Sequence, residues 1–283
     1  MGHDDEVDRA ARALADMMAG RVTVVITGAG ISTDAGLPDY RGQGTTEIPT
    51  VDYDQFVSDP VWQRWVWQRN QETWRCAQAL QPTPGHVALA RMEAAGLVNG
   101  IATQNVDGLH QKAGSRTVYE LHGSYARVVC TRCGAVMSRE SIDKELRRLN
   151  PTVVDDPDPA HVAILALAER DKAEQSTFIP APCPQCGGLL KPGVVAFGEM
   201  LPQAEMSASY ALARDADVCL IVGTSLAVLT GLYVAYESFQ KGADVAIINR
   251  GPTAADSHAD LRIEGGASEV LSRTADLLCP PTP

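Results

Sequence analysis

The hydrophobic pattern is clearest in residues 22–26, VTVVI, which lead into a glycine-rich segment. A β-branched run without a charge predicts a buried parallel strand. Gly28 and Gly30 follow, and because they lack a Cβ their backbone N–H groups could approach an anion closely. A helix that begins near Ser32 would point its positive end at the same place. The pattern fits a turn that binds nucleotide phosphates, and it fits equally a tight connection in an α/β sheet.

The glycine-rich segment departs from the fingerprint of dinucleotide-binding dehydrogenases. That fingerprint has Gly or Ala three residues after its second glycine, where this chain has Thr33, and an acidic residue at the end of the next strand. Here Glu47 and Asp52 lie in no predicted strand. A standard dehydrogenase is therefore disfavoured. Residues 34–41 are polar and contain Pro38, which predicts a mobile loop that closes over a ligand.

Later apolar stretches predict the rest of an α/β fold. The predicted strands are residues 98–103, 216–222 and 244–248, and the predicted helices are residues 7–19, 52–80, 86–95, 142–149 and 161–174. Each strand ends in small, amide or acidic residues, as the ligand crevice of an α/β sheet requires. In chain order these residues are Gln104, Asn105 and Asp107, then Gly223, Thr224 and Ser225, then Asn249, Arg250 and Gly251.

All four tryptophans lie in the predicted helical segment 52–80. Trp62 and Trp74 are expected to fill the core of a small helical module, because other large residues are scarce there. Trp65 and Trp67 are candidates for lining a channel that receives an apolar substrate group.

Two histidines follow predicted strands. His122 directly precedes Gly123 and lies just ahead of the cysteine pairs, which favours a functional role for an imidazole that titrates near neutrality. His110 follows an apolar leucine and is expected to be structural.

Four of the seven cysteines form two C-x-x-C pairs, Cys130 with Cys133 and Cys183 with Cys186. Each pair is followed by a glycine, and two such knuckles can complete a tetrahedral Zn²⁺ site with no position left for water. The sequence therefore predicts one structural zinc ion per chain. Cys76, Cys219 and Cys279 have no such spacing and are expected in the core.

Composition limits the possible functions. The 283 residues are 45% hydrophobic and 21% charged, as in ordinary globular proteins. With 24 basic and 35 acidic residues the net charge is −11, so direct binding to nucleic acid has no electrostatic basis, whereas a basic protein substrate is plausible. The acidic, amphipathic N-terminus does not resemble a signal peptide, and no apolar run reaches membrane-spanning length. We expect a cytoplasmic protein without a membrane partner.

Several motifs together resemble the sirtuin family of NAD-dependent protein deacylases, in order and across nearly the whole chain. They are GAGIST-x-x-G-L-P-D-Y-R, TQNVDGLH, ELHG, the four cysteines, KPGVVAFGE, GTS and INRGPT-x-x-D. The extended TQNVDGLHQKAGS, Gln81 with Pro82, and the long insert between the cysteine pairs are closest to class II of the family. Tyr40 stands where many members have Phe, and SLAVLT, which ends at Thr230, lacks a proline common there.

The resemblance implies roles for individual residues. Contacts to the phosphates and adjoining ribose of NAD would come from Gly28, Ala29, Gly30, Ser32, Asp39, Tyr40 and Arg41. The adenosine half would lie against Gly223, Thr224, Ser225, Asn249, Arg250, Gly251 and Ala267, and the nicotinamide side against Gln104, Asn105 and Asp107. The catalytic residues would be His122, Asn105 and Asp107, and the substrate peptide would pair with Val194, Val195, Ala196 and Phe197 as a strand.

The family's mechanism fits these residue types. The acyl oxygen of the substrate lysine attacks the ribose carbon as nicotinamide leaves, and the products are nicotinamide, O-acyl-ADP-ribose and deacylated lysine. Asp107 would hold the carboxamide in a closed pocket that weakens the glycosidic bond. His122 would act as the general base on a ribose hydroxyl. Mono-ADP-ribosyl transfer is the alternative enzyme activity, and a non-catalytic NAD or ADP-ribose sensor is the alternative from another class; intact His122, Asn105 and Asp107 argue against the sensor.

The implied architecture is α/β, with a Rossmann-like parallel-sheet domain made of residues 1–45, 88–127 and 191–283. A helical insertion, residues 46–87, and a zinc-binding insertion, residues 128–190, would form a small domain, with the active site in the cleft between the two domains.

The resemblance also bears on the acyl group. Sirtuins that prefer acidic acyl chains place a Tyr and an Arg three residues apart in the helical module, and the matching positions here are Trp65 and Gln68, with Arg69 as a neighbour. A buried carboxylate without a charged partner is costly, so succinyl-lysine is expected to be a poor substrate. An apolar or moderately polar acyl chain is expected to react better, with the predicted helix 161–174 covering the mouth of the channel.

Overall fold

The structure, a computed structural model, describes residues 2–38, 49–156, 158, 162 and 166–280. Its strands are β1 (Thr23–Thr27), β2 (Val98–Thr103), β3 (Val118–Glu120), β4 (Gly123–Cys130), β5 (Val136–Ser138), β6 (Leu190–Val194), β7 (Val218–Val222), β8 (Asp244–Asn249) and β9 (Leu261–Glu264). Its α-helices are α1 (His3–Met18), α2 (Tyr53–Ser58), α3 (Pro60–Ala79), α4 (Pro84–Ala94), α5 (Leu109–Ala113), α6 (Arg139–Leu149), α7 (Arg170–Gln175), α8 (Gln203–Arg214), α9 (Leu229–Gln240) and α10 (Ala267–Leu278).

The larger sheet is parallel, and in the described part of the chain its strand order is β3-β2-β1-β7-β8-β9. From β1 to β3 successive strands are added on one side of the sheet, and from β7 to β9 they are added on the other side. The topological switch point therefore lies between β1 and β7. In open α/β sheets the ligand crevice lies at that point, beyond the carboxyl ends of the strands. The predicted Rossmann-like α/β fold is confirmed, and the predicted strands agree with the observed ones within two residues.

Both faces of this sheet are covered, which explains why its central strands β1 and β7 are buried at every position. Val25 packs with α1, α4 and α10 on one face. Val24 and Ile26 point the other way and pack with α8 and α9. All three side chains are fully buried.

A second sheet has the order β5-β4-β6 and is antiparallel. It shares a core with α3 and α6 that includes Trp62, Trp65 and Trp67. The predicted helix 52–80 is in fact two helices, α2 and α3. The break lies at Asp59 because Pro60 starts α3 and the Asp59 carboxylate accepts the Val61 amide hydrogen at 2.8 Å.

A buried arginine connects α6 to α3. The Arg139 side chain is fully buried, and its Nε and Nη2 donate to Asn70 Oδ1 at 2.7 Å and Gln71 Oε1 at 2.9 Å. Asp143 supplies the countercharge, and the guanidinium carbon lies 4.9 Å from the centroid of a Trp74 ring. Burial lowers the pKa of Arg139 to about 10, so it stays a cation at neutral pH. A buried guanidinium stays charged only when a carboxylate and hydrogen-bond acceptors contact it, as Asp143, Asn70 and Gln71 do here.

The segment that follows β1 is not α-helical. No α-helix begins near Ser32, because two short 3-10 turns, Ala29–Ile31 and Thr33–Ala35, follow β1 and end at Gly36 with a φ of 89°. The left-handed conformation of this glycine stops a helix from continuing.

The predicted helix 161–174 is wrong over half of its described residues, because residues 162 and 166–169 are not helical whereas residues 170–174 are, and His161 lies outside the described residues. Leu167 instead forms an antiparallel bridge with Thr50, and the helix begins only at Arg170. The neighbouring Ala166 carbonyl accepts a hydrogen bond from the Val51 amide at 2.9 Å. The backbone at residues 166–167 therefore pairs with residues 50–51 instead of forming a helix. Among the described residues, no helix has both the length and the apolar character needed to cross a membrane.

Candidate active site

The loops after β1 and β7 touch each other through glycines. A Cβ on Gly30 would lie 2.7 Å from the Gly223 Cα, a distance that real structures do not allow. The Gly30 amide donates to the Gly223 carbonyl at 2.8 Å, and the Gly28 amide donates to Val222 at 3.2 Å. These two N–H groups serve the contact between the two loops, and the role of Gly28 and Gly30 beside the phosphates of NAD stays a prediction.

Three polar side chains connect the loop after β1 with the loop after β2. Ser32 Oγ donates to Asp107 Oδ2 at 2.7 Å, and Asn105 Nδ2 donates to Ser32 Oγ at 3.0 Å and to the Gly28 carbonyl at 3.1 Å. The Leu109 amide donates to Asp107 Oδ1 at 2.9 Å. Burial raises the pKa of Asp107, while these hydrogen bonds lower it. The structure thus brings together Ser32, Asn105 and Asp107, as the sequence predicts.

His122 lies between β3 and β4 in the chain, and its ring contacts the loop after β2 and the start of α9. Its Nδ1 is 2.9 Å from the backbone carbonyl oxygen of Gln104, and its Nε2 is 2.7 Å from Thr230 Oγ1. A carbonyl only accepts, so Nδ1 carries the ring proton and Nε2 is free to act as an acceptor. Burial lowers the pKa of His122, so the ring is neutral at pH 7. A neutral imidazole with an accepting Nε2 is the form that a general base requires.

The predicted substrate strand is only partly a strand. Val194 ends β6, and residues 195–197 lie beyond it. The Val195 amide donates to the His122 carbonyl at 2.8 Å, and the Phe197 carbonyl accepts from Tyr53 at 2.9 Å. This segment is therefore fixed beside His122, and the Phe197 side chain remains exposed.

The residues predicted to surround adenosine follow neighbouring strands of the parallel sheet. The sets are Gly223, Thr224 and Ser225 after β7, and Asn249, Arg250 and Gly251 at the end of β8 or directly after it, with Ala267 at the start of α10. Thr224 Oγ1 also donates to Gln104 Oε1 at 2.7 Å, so a residue expected beside adenosine contacts a residue expected beside nicotinamide. Asp39, Tyr40 and Arg41 lie outside the described residues.

The four paired cysteines converge. The Sγ atoms of Cys130, Cys133, Cys183 and Cys186 all lie within 4.8 Å of one another. The glycines that follow the pairs, Gly134 and Gly187, have φ angles of 71° and 69°, which lets each knuckle turn tightly.

Sequence reasoning assigned the tryptophans only partly correctly. Trp67 is fully buried, and its indole N–H donates to the Leu190 carbonyl at 2.8 Å, so it belongs to the core and lines no channel. Trp74, expected only to fill the helical module, also packs with Val106, which lies between Asn105 and Asp107, and with Val194 at the end of β6. Nothing in the spacing of residues 52–80 shows which indole packs against the loop after β2.

Trp65 borders a cavity of about 420 Å³, together with Gln68, Arg69, Glu72, Glu169, Lys172, Gln175 and Ser176. Glu72 forms an ion pair with Arg69 and accepts from Gln68 Nε2 at 2.8 Å. Ser176 Oγ donates to Gln68 Oε1 at 2.7 Å. Arg69, the cation next to the matching acyl positions in the sequence, is therefore already paired with a carboxylate.

Comparisons with known proteins agree with this geometry. The model of the Sir2 family matches residues 28–230. The chain is 42% identical to "NAD-dependent protein deacetylase 1" of Mycobacterium avium (strain 104), covering 94% of this chain and 95% of that protein. It is 40% identical to "NAD-dependent protein deacylase 2" of Pyrobaculum aerophilum, covering 93% and 94%.

Solved structures show the same likeness. A structure described as "Structural Basis for the Mechanism and Regulation of Sir2 Enzymes" superposes with a TM-score of 0.72 at 31% identity, over 97% of this chain and 98% of the other. A structure of a Sir2 protein bound to a propionylated peptide superposes with a TM-score of 0.72 at 29% identity, over 94% and 97%. The sheet order, the residues gathered at its switch point and these likenesses agree, and the chain belongs to the Sir2 family.

Proposed function

We propose that the protein is an NAD-dependent protein-lysine deacylase. The observation that carries the proposal is the neutral imidazole of His122, held with Nε2 as an acceptor beside the polar cluster of Asn105, Asp107 and Ser32. The relatives named as NAD-dependent deacetylases and deacylases support it. The reaction would take place in the cleft between the Rossmann-like domain and the small domain.

NAD would supply the nicotinamide leaving group and the ribose carbon that takes the acyl oxygen. Asp107 is fixed by Ser32 and Leu109, and its remaining lone pairs can accept hydrogen bonds from the carboxamide. His122 Nε2 would take the proton of a ribose hydroxyl, while Nδ1 keeps its own proton on the Gln104 carbonyl. The protein provides no nucleophile, because the acyl oxygen of the substrate is the attacking atom.

The cysteine cluster is proposed to hold one structural Zn²⁺ per chain. Four thiolates that converge from two knuckles match the donor set of a closed tetrahedral site. The ion would fix the loop between β4 and β5 to the segment that leads into β6.

The proposed activity is tested by nicotinamide release from NAD, measured with and without an acylated lysine peptide. We expect release that depends on the peptide and yields deacylated peptide together with O-acyl-ADP-ribose. ADP-ribose bound to protein without deacylation would instead indicate mono-ADP-ribosyl transfer. NAD binding without any release would indicate a sensor.

The cavity beside Trp65 suggests which acyl groups react. Because Glu72 neutralises Arg69 and would repel a second carboxylate, we propose that succinyl-lysine is a poor substrate and that uncharged acyl chains are preferred. Glu72→Gln would remove the negative charge and leave the Arg69 cation available. We expect the ratio of kcat/KM for succinyl to kcat/KM for acetyl peptide to rise about three- to tenfold, the effect of one partly exposed charge-assisted hydrogen bond.

Glu145→Gln is the matched control, since Glu145 forms an ion pair with Arg148 at the same i,i+3 spacing but does not border this cavity. It should leave the ratio unchanged. A wild-type preference for succinyl peptide, or no change in the ratio for Glu72→Gln, would contradict this assignment of the cavity.

A further inference from the structure

The amide group of Gln104 sets the direction of the hydrogen bonds around His122. Its Nε2 lies 3.0 Å from the Val228 carbonyl oxygen, which can only accept, so the NH₂ group faces this loop. Its Oε1 then faces Thr224 Oγ1, which donates at 2.7 Å. With this orientation Nε2 also donates to Thr230 Oγ1 at 3.3 Å.

The Thr230 hydroxyl is thereby left with a proton to donate. Its oxygen accepts from Gln104, and the ring nitrogen His122 Nε2 lies 2.7 Å away. Nε2 is the acceptor of the neutral ring, because Nδ1 donates its proton to the Gln104 carbonyl. Gln104 therefore holds the imidazole from both sides, directly through its backbone and indirectly through Thr230. Thr230 is only 8% exposed, so this arrangement is largely shielded from solvent.

We infer that Thr230 is a positioning residue for the histidine base: its hydroxyl fixes the plane of the His122 ring and holds Nε2 in its accepting form. The inference rests on the proposed deacylase function, because Thr230 can affect turnover only if His122 is the base of that reaction. It also gives a role to the threonine that ends the segment SLAVLT, where the sequence shows only that a common proline is missing.

A hydroxyl can serve the ring before and after proton transfer. In the resting protein it donates to Nε2 and stabilises the neutral ring. Nε2 has one lone pair, so a ribose hydroxyl replaces the Thr230 hydroxyl on it when it gives up its proton. The ring becomes a cation, and after the ribose oxygen moves away the new N–H can donate to Oγ1, because a hydroxyl oxygen also accepts. One proton moves from the ribose oxygen to Nε2, and Thr230 keeps its own.

The test compares Thr230→Val, which keeps the side-chain shape but lacks the hydroxyl, with Thr230→Ser, which keeps the hydroxyl. In Thr230→Val we expect kcat to fall about three- to tenfold, the effect of one neutral hydrogen bond, with KM for NAD and for acyl peptide changed less than about twofold. The ¹⁵N signal of His122 Nε2 should move towards that of a ring nitrogen without a hydrogen bond. Thr230→Ser should restore both.

Thr274→Val is the matched control, because Thr274 is a fully buried threonine whose hydroxyl bonds the Val270 carbonyl at 2.8 Å in α10. It should change neither kcat nor the Nε2 signal. An unchanged Nε2 signal in Thr230→Val, an unchanged kcat, or a failure of Thr230→Ser to restore them would overturn the inference. If the wild-type protein released no nicotinamide, both the proposed deacylase function and the catalytic role of Thr230 would be wrong. The Nε2 signal of Thr230→Val would then still show whether Thr230 holds the His122 ring.

Discussion

Replacing Cys183 with alanine should unfold the small β5-β4-β6 sheet and abolish activity indirectly. Cys183 is buried in the same core as Trp62, Trp65 and Trp67, and its Sγ lies 3.9 Å from Cys133 Sγ. Structural zinc can contribute roughly 10 kcal/mol or more to the stability of the site that it organises, and three thiolates hold it far more weakly than four. We expect zinc content to fall well below one ion per chain and the thermal transition to shift strongly downward.

Cys279→Ala is the control for this experiment. Cys279 lies at the end of α10 and does not belong to the four-cysteine cluster, and its Sγ donates to the Ala275 carbonyl. Its replacement should retain zinc and activity. Elemental analysis that finds no zinc in active wild-type protein would show that the cysteine cluster is not a metal site.

His122→Ala should lower turnover by about two to four powers of ten, the usual effect of losing a general base. Binding of NAD should remain largely intact, because the change removes a group needed for proton transfer rather than for cofactor contacts. Burial lowers the pKa of His122, so the accepting neutral form persists below the ordinary histidine value. In the wild type, activity should therefore fall on the acid side only below about pH 6.5.

His3→Ala serves as the control, since His3 is exposed near the N-terminus, where its Nε2 pairs with Glu269 of α10. It should leave turnover and the pH profile unchanged. Near wild-type turnover of His122→Ala at saturating NAD would mean that another group is the base.

The parallel sheet could be predicted because burial on both faces leaves a signal in each strand. Residues 22–26 consist of β-branched residues for this reason, and Val24, Val25 and Ile26 are all fully buried. The polar residues at strand ends could also be predicted, since the crevice of an α/β sheet lies there. Ser32, Asn105 and Asp107 accordingly meet in the structure.

The segment around residue 167 could not be predicted, because its conformation depends on a distant partner. Its sequence suits a helix, but pairing of Leu167 with Thr50 keeps it extended. Thr230 was missed for a similar reason: its contact with His122 joins residues 108 positions apart, and no local pattern encodes it. Tertiary contacts override local propensity at such places.

The buried Arg139 has a consequence for the order of folding. Its hydrogen bond to Asn70 spans 69 positions, so α3 is completed by a residue of α6. If α3 formed its packing first, the polar groups of Asn70 and Gln71 would lack the Arg139 guanidinium; if α6 did, that guanidinium would be buried with Asp143 alone, without its acceptors on α3. We therefore expect α3 and α6 to form one cooperative unit that closes late, after a long stretch of chain has been synthesised. Amide hydrogens of the two helices should then exchange with solvent through a single common opening, and markedly different opening free energies for α3 and α6 would rule this out.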